Sequence, residues 1–196
     1  MGKIILSAEE LLEDSFRLGK QICDSGYEPT ILIALWRGGT PVGMAIQELL
    51  SHRGLKVDHI AVRTSSYSAV DQRNPVKIHG LGYVSERVSS KDKLLIIDDV
   101  FDSGNTLFSV LKQLRKNTGD NMPNDVRLAV TWYKPSRNKT DIKPDYYLHQ
   151  TSEWIVFPHE LDALTSDELK LHRPNIYKII YSKTSNELLK DEDDLI

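Results

Sequence analysis

One stretch concentrates groups able to do chemistry: Leu94-Leu95-Ile96-Ile97-Asp98-Asp99-Val100-Phe101-Asp102-Ser103-Gly104-Asn105-Thr106-Leu107. Its apolar start suits a strand buried on both faces, and that strand delivers two carboxylates, Asp98 and Asp99, at its C-terminal end. A turn then adds a third carboxylate, Asp102, with hydroxyls at Ser103 and Thr106. Gly104 and Asn105 are the residue types that best tolerate a left-handed backbone, which lets successive N–H groups point into one concavity. With a helix starting at the turn, that concavity is a cradle for one phosphate. Carboxylates beside a phosphate cradle conflict until a sugar is placed there. Asp98 and Asp99 then accept hydrogen bonds from ribose hydroxyls, or hold magnesium that those hydroxyls also coordinate. The plainer alternative is an ordinary strand, turn and helix, against which three carboxylates around a Ser-Gly-Asn-Thr turn weigh heavily.

Several elements must position this turn. Ser7-Ala8-Glu9-Glu10 has the spacing of a capping box, and Ala8, Leu11, Leu12, Phe16, Gly19, Ile22 and Cys23 follow as the apolar stripe of a first helix. Cys23 on that stripe reads as a buried structural thiol. Thr30 to Leu35 reads as a buried strand, and Gly38-Gly39 breaks it. Thr40-Pro41 then reads as the N-cap and first residue of a second helix. A strand near Val57 to Val62 comes next, and Thr64 to Val88 dissolves into an irregular segment of the kind that forms a functional lid or a mobile hairpin. After the chemical turn, Leu107, Val110, Leu111 and Leu114 mark a helix, and Val126 to Trp132 and Tyr146 to Leu148 are strands. Strands alternating with helices imply an α/β domain with a mostly parallel sheet of about five strands, covered on both faces.

Composition narrows the function classes. The chain of 196 residues carries 25 Lys+Arg and 28 Asp+Glu, a net charge of −3, which argues against a dedicated nucleic-acid or membrane-surface binder. Its one cysteine allows no intrachain disulfide, and the six histidines show no metal-ligand spacing; only His79, in the irregular segment, invites attention. No apolar run approaches the ~20 residues that span a bilayer, and no secretory or myristoylation pattern opens the chain, so a cytoplasmic location is expected. Residues 1–196 read as one domain, with residues 161–196 as an extension ending in a solvated acidic run, Lys190 to Asp194.

Ile96 to Thr106 resembles the ribose-phosphate signature of the type I phosphoribosyltransferases, with Asn105 as a departure from the usual turn. Trp36-Arg37-Gly38-Gly39 followed by Pro41-Val42-Gly43 resembles the pyrophosphate loop of that family. Ser65-Ser66-Tyr67 leading to Asp71-Gln72-Arg73 looks like the mobile lid of its xanthine-guanine and hypoxanthine branch. Trp132 to Pro135, Pro144 to Tyr147 and Trp154 to Pro158 resemble the 6-oxopurine recognition region. The ordered similarity spans about Ile31 to Glu160.

The resemblance implies the type I fold with a small hood built from the N- and C-terminal segments. It implies reversible transfer of a 5-phosphoribosyl group from phosphoribosyl pyrophosphate to hypoxanthine, guanine or xanthine in purine salvage. Arg37 and Gly38 would meet the pyrophosphate and Arg73 would clamp it; Asp98 and Asp99 would hold the ribose, and Asp102 to Thr106 its phosphate. Asp102 would also act as the base, Lys134 would read the 6-carbonyl, Trp154 would stack on the purine and Ile155 would face its position 2. Magnesium would be held by Asp99, and Glu160 would meet a second magnesium or the base edge, with Asp162 a competitor for the latter role. The resemblance further implies a non-proline cis peptide at Trp36–Arg37 when pyrophosphate is bound, and a homo-oligomer, a dimer or tetramer. A competing expectation is a regulatory protein on the same fold that senses phosphoribosyl pyrophosphate and binds nucleic acid or a partner.

Overall fold

The computed structural model describes residues 2–65 and 76–182. In chain order its elements are β1 (Lys3–Ile5), α1 (Ala8–Asp24), β2 (Ile31–Trp36), α2 (Gly39–His52), β3 (Asp58–Ser65), β4 (Lys77–His79), α3 (Leu81–Ser85), β5 (Lys93–Phe101), α4 (Asn105–Thr118), β6 (Asp125–Tyr133), β7 (Tyr146–Gln150), β8 (Trp154–Val156), α5 (Ser166–His172) and α6 (Pro174–Tyr181). They fall into two compact units: Ser7–Glu153, and the residues through Leu6 together with those from Trp154 onward.

The larger unit is built on a six-stranded sheet ordered β4-β3-β2-β5-β6-β7. All pairs are parallel except β3 with β4, an antiparallel edge strand that lies inside the segment read as irregular. That three-residue strand is why the sheet exceeds the expected five. Alternation assigns the faces. Ile31, Ile33, Leu35, Leu94 and Ile96 pack with Leu107, Val110 and Leu114 of α4 on one side. Leu32 and Ala34 face α2 on the other, where a methyl on Gly43 would come 2.6 Å from the Ala34 Cβ. The run Thr30 to Leu35 is apolar throughout because both faces of β2 are covered.

Connectivity then sets the site. The unit β2-α2-β3 winds toward one edge of the sheet and β5-α4-β6 toward the other, so the order reverses between β2 and β5. Right-handed crossovers in opposite directions put α2 and α4 on opposite faces, and the crevice at the reversal is where open α/β sheets bind ligands. Pairing of β2 with β5 runs from Ile31↔Leu94 to Ala34↔Ile97, so Trp36-Arg37-Gly38 and Asp98-Asp99 leave it at the same end.

Local signals hold in part. Ser7 caps α1 as its spacing predicts: Glu10 N–H donates to Ser7 Oγ at 3.1 Å and Ser7 N–H donates to Glu10 Oε2 at 2.8 Å. The buried stripe is narrower than expected. It runs through Leu11, Ser15, Leu18 and Ile22, so Leu12 and Phe16, about 100° around the helix, are exposed and Cys23 is only half-buried. The buried Asp14 is paired, with Arg17 Nη1 and His149 Nε2 each 2.7 Å from one of its oxygens. The second helix begins at Gly39 with Gly38 as N-cap, two residues ahead of the expected Thr40 cap.

In the smaller unit β1 and β8 pair in parallel, from Lys3↔Trp154 to Ile5↔Val156, so the N- and C-terminal segments do join as expected. Thr165-Ser166-Asp167-Glu168 forms a second capping box, starting α5 in a region that carried little apolar pattern. Lys3 Nζ donates to Glu168 at 2.8 Å, tying that helix to the first strand. The acidic run at Lys190 to Asp194 lies outside the described residues. No helix among the described residues is long and apolar enough to cross a membrane.

Candidate active site

The turn after β5 has the form its residue types suggest, with one correction. Gly104 is left-handed, φ 78°, and serves as N-cap of α4. Asn105 is not left-handed, since no non-glycine described residue has positive φ. It is already the first helical residue, so one inverted position suffices to turn the chain. The first intrahelical bond runs from Phe108 N–H to Gly104 O at 2.9 Å, which leaves the amides of Asn105 to Leu107 at the open end of the helix. Asn105 N–H leans toward Ser103 Oγ at 3.4 Å. A methyl on Gly104 would meet the Phe101 ring at 2.7 Å and Thr140 Oγ1 at 2.5 Å, so only glycine fits.

Across the crevice, the loop from Trp36 to Thr40 touches the carboxylates directly. The Trp36–Arg37 peptide is cis, the non-proline bond that the resemblance implied. A methyl on Gly38 would lie 1.9 Å from Asp99 Oδ2, and one on Gly39 2.4 Å from the Ile97 carbonyl. These two glycines therefore let backbone approach backbone and carboxylate, while Arg37 is exposed. Asp99 is buried and its Oδ1 accepts from Val100 N–H at 2.7 Å; Asp98 accepts from Asp99 N–H at 3.0 Å. Burial, and then the neighbouring Asp99 charge, push the Asp98 carboxyl well above the usual carboxylate range.

The third component arrives from β6. Thr131 Oγ1 donates to the Asp99 carbonyl at 2.7 Å, and Trp132 lies against His149 with ring centroids 4.5 Å apart. Beyond the strand, Lys134 N–H donates to Phe101 O at 2.9 Å and Lys139 N–H to Ser103 O at 3.0 Å, lacing this segment to the turn after β5. The Lys134 side chain is 3% exposed and its ammonium donates to Asp102 Oδ2 at 3.2 Å. Arg137, which carried no motif, brings its Nε to 2.7 Å from Asp102 Oδ1. It lies three residues past Lys134 across a proline-initiated single turn, and no sequence signal marks it.

The expected site residues thus divide. Arg37, Gly38, Asp98, Asp99, Asp102 to Thr106 and Lys134 belong to the larger unit, and its topology gathers them around one strand reversal. Trp154 and Ile155 stand on β8 of the smaller unit, the first half exposed and the second buried. Glu160 follows in a turn where its Oε2 accepts from Phe157 N–H at 3.1 Å, and the Arg173 guanidinium donates to the carbonyls of Phe157, Pro158 and Glu160. One oxygen of the expected second metal ligand is therefore committed to local structure. Arg73, like Ser66, Tyr67, Asp71 and Gln72, lies outside the described residues.

The donor set fits magnesium in one respect. Asp98 and Asp99 are adjacent hard oxygen donors, and no cluster of three metal-ligating side chains exists among the described residues. Magnesium commonly uses one or two carboxylates and takes its remaining oxygens from water and substrate phosphate.

An open, mostly parallel sheet with a glycine turn opening a helix and paired carboxylates at its reversal point is the arrangement in which α/β proteins bind phosphorylated ligands. The sequence matches the phosphoribosyl transferase domain over residues 2–165, a match that takes in the first helix as well as the motif-bearing strands; the chain belongs to that family. It is 28% identical over 185 residues to the hypoxanthine phosphoribosyltransferase of Salmonella typhimurium, covering 91% of this chain and 95% of the relative. Two solved structures are similar. The xanthine-guanine-hypoxanthine phosphoribosyltransferase of Helicobacter pylori has a TM-score of 0.65 at 27% identity, covering 87% of this chain and 100% of that one. The purine phosphoribosyltransferase of Pyrococcus horikoshii Ot3 has a TM-score of 0.63 at 25% identity, covering 84% of this chain and 98% of that one.

Proposed function

We propose that this chain is a purine salvage enzyme that transfers a 5-phosphoribosyl group from phosphoribosyl pyrophosphate to a ring nitrogen of a 6-oxopurine, releasing pyrophosphate. The observation that carries this reading is the Lys134–Asp102 contact of 3.2 Å. It joins a donor suited to a 6-carbonyl, after β6, to a carboxylate in the turn after β5, so that two adjoining loops address base and sugar together. The named relatives that act on hypoxanthine, xanthine, guanine or purines support it.

Each residue then has a task. The amides of Asn105 to Leu107, with the Ser103 and Thr106 hydroxyls, hold the 5′-phosphate at the positive end of α4. Asp98 and Asp99 hold the ribose hydroxyls. Arg37 and the Gly38 and Gly39 backbone receive the pyrophosphate, for which a guanidinium offers planar, paired donors. Asp99 would hold magnesium, which supplies neutralising charge to the departing pyrophosphate. As the sugar develops positive charge, Asp102 takes the N7 proton of the base, so that the ring does not become cationic as it attacks. Lys134 donates to the 6-carbonyl and has no acceptor for a 6-amino group.

The test mixes the protein with phosphoribosyl pyrophosphate, magnesium and, separately, hypoxanthine, guanine, xanthine and adenine, and measures nucleotide. Nucleotide from one or more of the first three is expected. Tight binding of the sugar pyrophosphate with no nucleotide from any base would instead favour the regulatory reading.

A further inference from the structure

We infer that Arg137 is the positioning residue for Asp102; the inference rests on Asp102 being the base of the proposed transfer. The two oxygens of Asp102 are divided between two cations: Lys134 Nζ is 3.2 Å from Oδ2 and Arg137 Nε is 2.7 Å from Oδ1. Their surroundings differ. Lys134 is 3% exposed whereas Arg137 is 50% exposed. A buried ammonium needs a partner, and Asp102 supplies it in the ligand-free protein. When a purine carbonyl takes up the Lys134 ammonium, Oδ2 is released to face the base.

Arg137 then becomes the counter-charge that stays. Oδ1 is buried and has no hydrogen-bond partner of ordinary geometry among the described residues, so the ionic contact with Arg137 is what balances it. The backbone that carries the guanidinium is held in place. Arg137 N–H donates to Lys134 O at 3.0 Å within the single turn, and the flanking Lys134 and Lys139 amides bond to Phe101 and Ser103 of the phosphate turn. A carboxylate gripped at one oxygen keeps its plane and offers the other in a fixed direction. Arg137 touches no substrate in this scheme; it orients the base and balances the charge at Oδ1.

The experiment compares the full-length wild type with Arg137→Ala and Arg137→Lys, after thermal melting has shown that both variants fold. With hypoxanthine, magnesium and phosphoribosyl pyrophosphate, Arg137→Ala should lower kcat about tenfold or more, with KM for the sugar pyrophosphate changed less than about twofold. Arg137→Lys should recover much of the loss. A second readout needs no turnover: carbon NMR of the Asp102 carboxyl in the ligand-free protein, assigned against Asp102→Asn. Lys134 and Arg137 are the cations facing this group, and Asp98 and Asp99, on the strand that leads into it, are common to all three proteins. At one fixed neutral pH the Asp102 carboxyl resonance should move in Arg137→Ala and return toward its wild-type position in Arg137→Lys. Unchanged kcat, or a lowered kcat with an unmoved resonance, overturns the inference. Should the wild type form no nucleotide from any base, the proposed function fails, and the resonance alone decides whether Arg137 positions Asp102.

Discussion

The Asp99 carboxylate leaves no room for a side chain at residue 38: a methyl group there would come 1.9 Å from its Oδ2. The loop after β2 and the end of β5 are therefore locked in contact through the absence of one carbon. Gly38→Ala must push either the loop or the carboxylate aside, an overpacking cost of ~1–3 kcal/mol. Because Asp99 and the loop are both read as sugar-pyrophosphate ligands, calorimetric affinity for phosphoribosyl pyrophosphate should fall about tenfold or more. An unchanged affinity would remove this loop from the binding site.

Base catalysis separates from binding at Asp102. Asp102→Asn keeps the shape and removes proton acceptance, so kcat with 6-oxopurines should fall by about 10²-fold or more. Affinity for the sugar pyrophosphate should remain nearly intact. Steady-state kinetics with equilibrium binding measure both quantities, and undiminished turnover would move the proton to another acceptor.

Base choice tests Lys134. A buried ammonium facing a 6-amino group is left unpaired, a cost of ~1–3 kcal/mol, so kcat/KM for hypoxanthine or guanine should exceed that for adenine by about 10- to 100-fold or more. Lys134→Gln, which offers an acceptor as well as a donor, should narrow the ratio. Equal use of adenine by the wild type would sink the 6-oxopurine assignment.

Stability against acid should register Asp92, which sits just before β5. Burial works to raise its pKa, but the Thr30 hydroxyl and the Ser89 amide and hydroxyl bond to its carboxylate and together hold it below the ordinary value. A folded pKa below the unfolded one stabilises above the unfolded value, about 3.9 for aspartate, and that stability is lost as pH falls through the folded value. Asp92→Ala should cost about 0.5–1 kcal/mol at neutral pH in urea unfolding, since solvent screens this partly exposed carboxylate. The gap between the two proteins should shrink below about pH 4; a gap that is constant down to pH 2 would mean that the carboxylate charge contributes nothing.

Much of this protein is legible in its residues because the informative signals are local. A glycine that alone tolerates φ 78°, hydroxyls flanking it and a strand ending in paired acids describe the phosphate turn without reference to distant chain. Capping at Ser7 needs only residues three apart, and so does the second box at Thr165, although little apolar pattern follows that one. The alternation of apolar runs with helical spacing carries the parallel sheet in the same way.

What only the tertiary structure decides is which locally ordinary residues are brought together. Nothing in Pro135-Ser136-Arg137 distinguishes a surface arginine from one that pairs with Asp102, 35 residues away in sequence; lacing of the segment after β6 to the turn after β5 makes the contact. The width of the α1 stripe was likewise beyond the sequence, since the surface that covers the helix determines whether Phe16 and Cys23 are buried. The antiparallel edge strand β4 is three residues long, too short for a periodicity of its own, and exists because β3 offers it a ladder. Composition and spacing determine the local form of a turn or cap because its interactions close within a few residues. Pairing across the fold depends on strand order and register, which are settled collectively by the packed core.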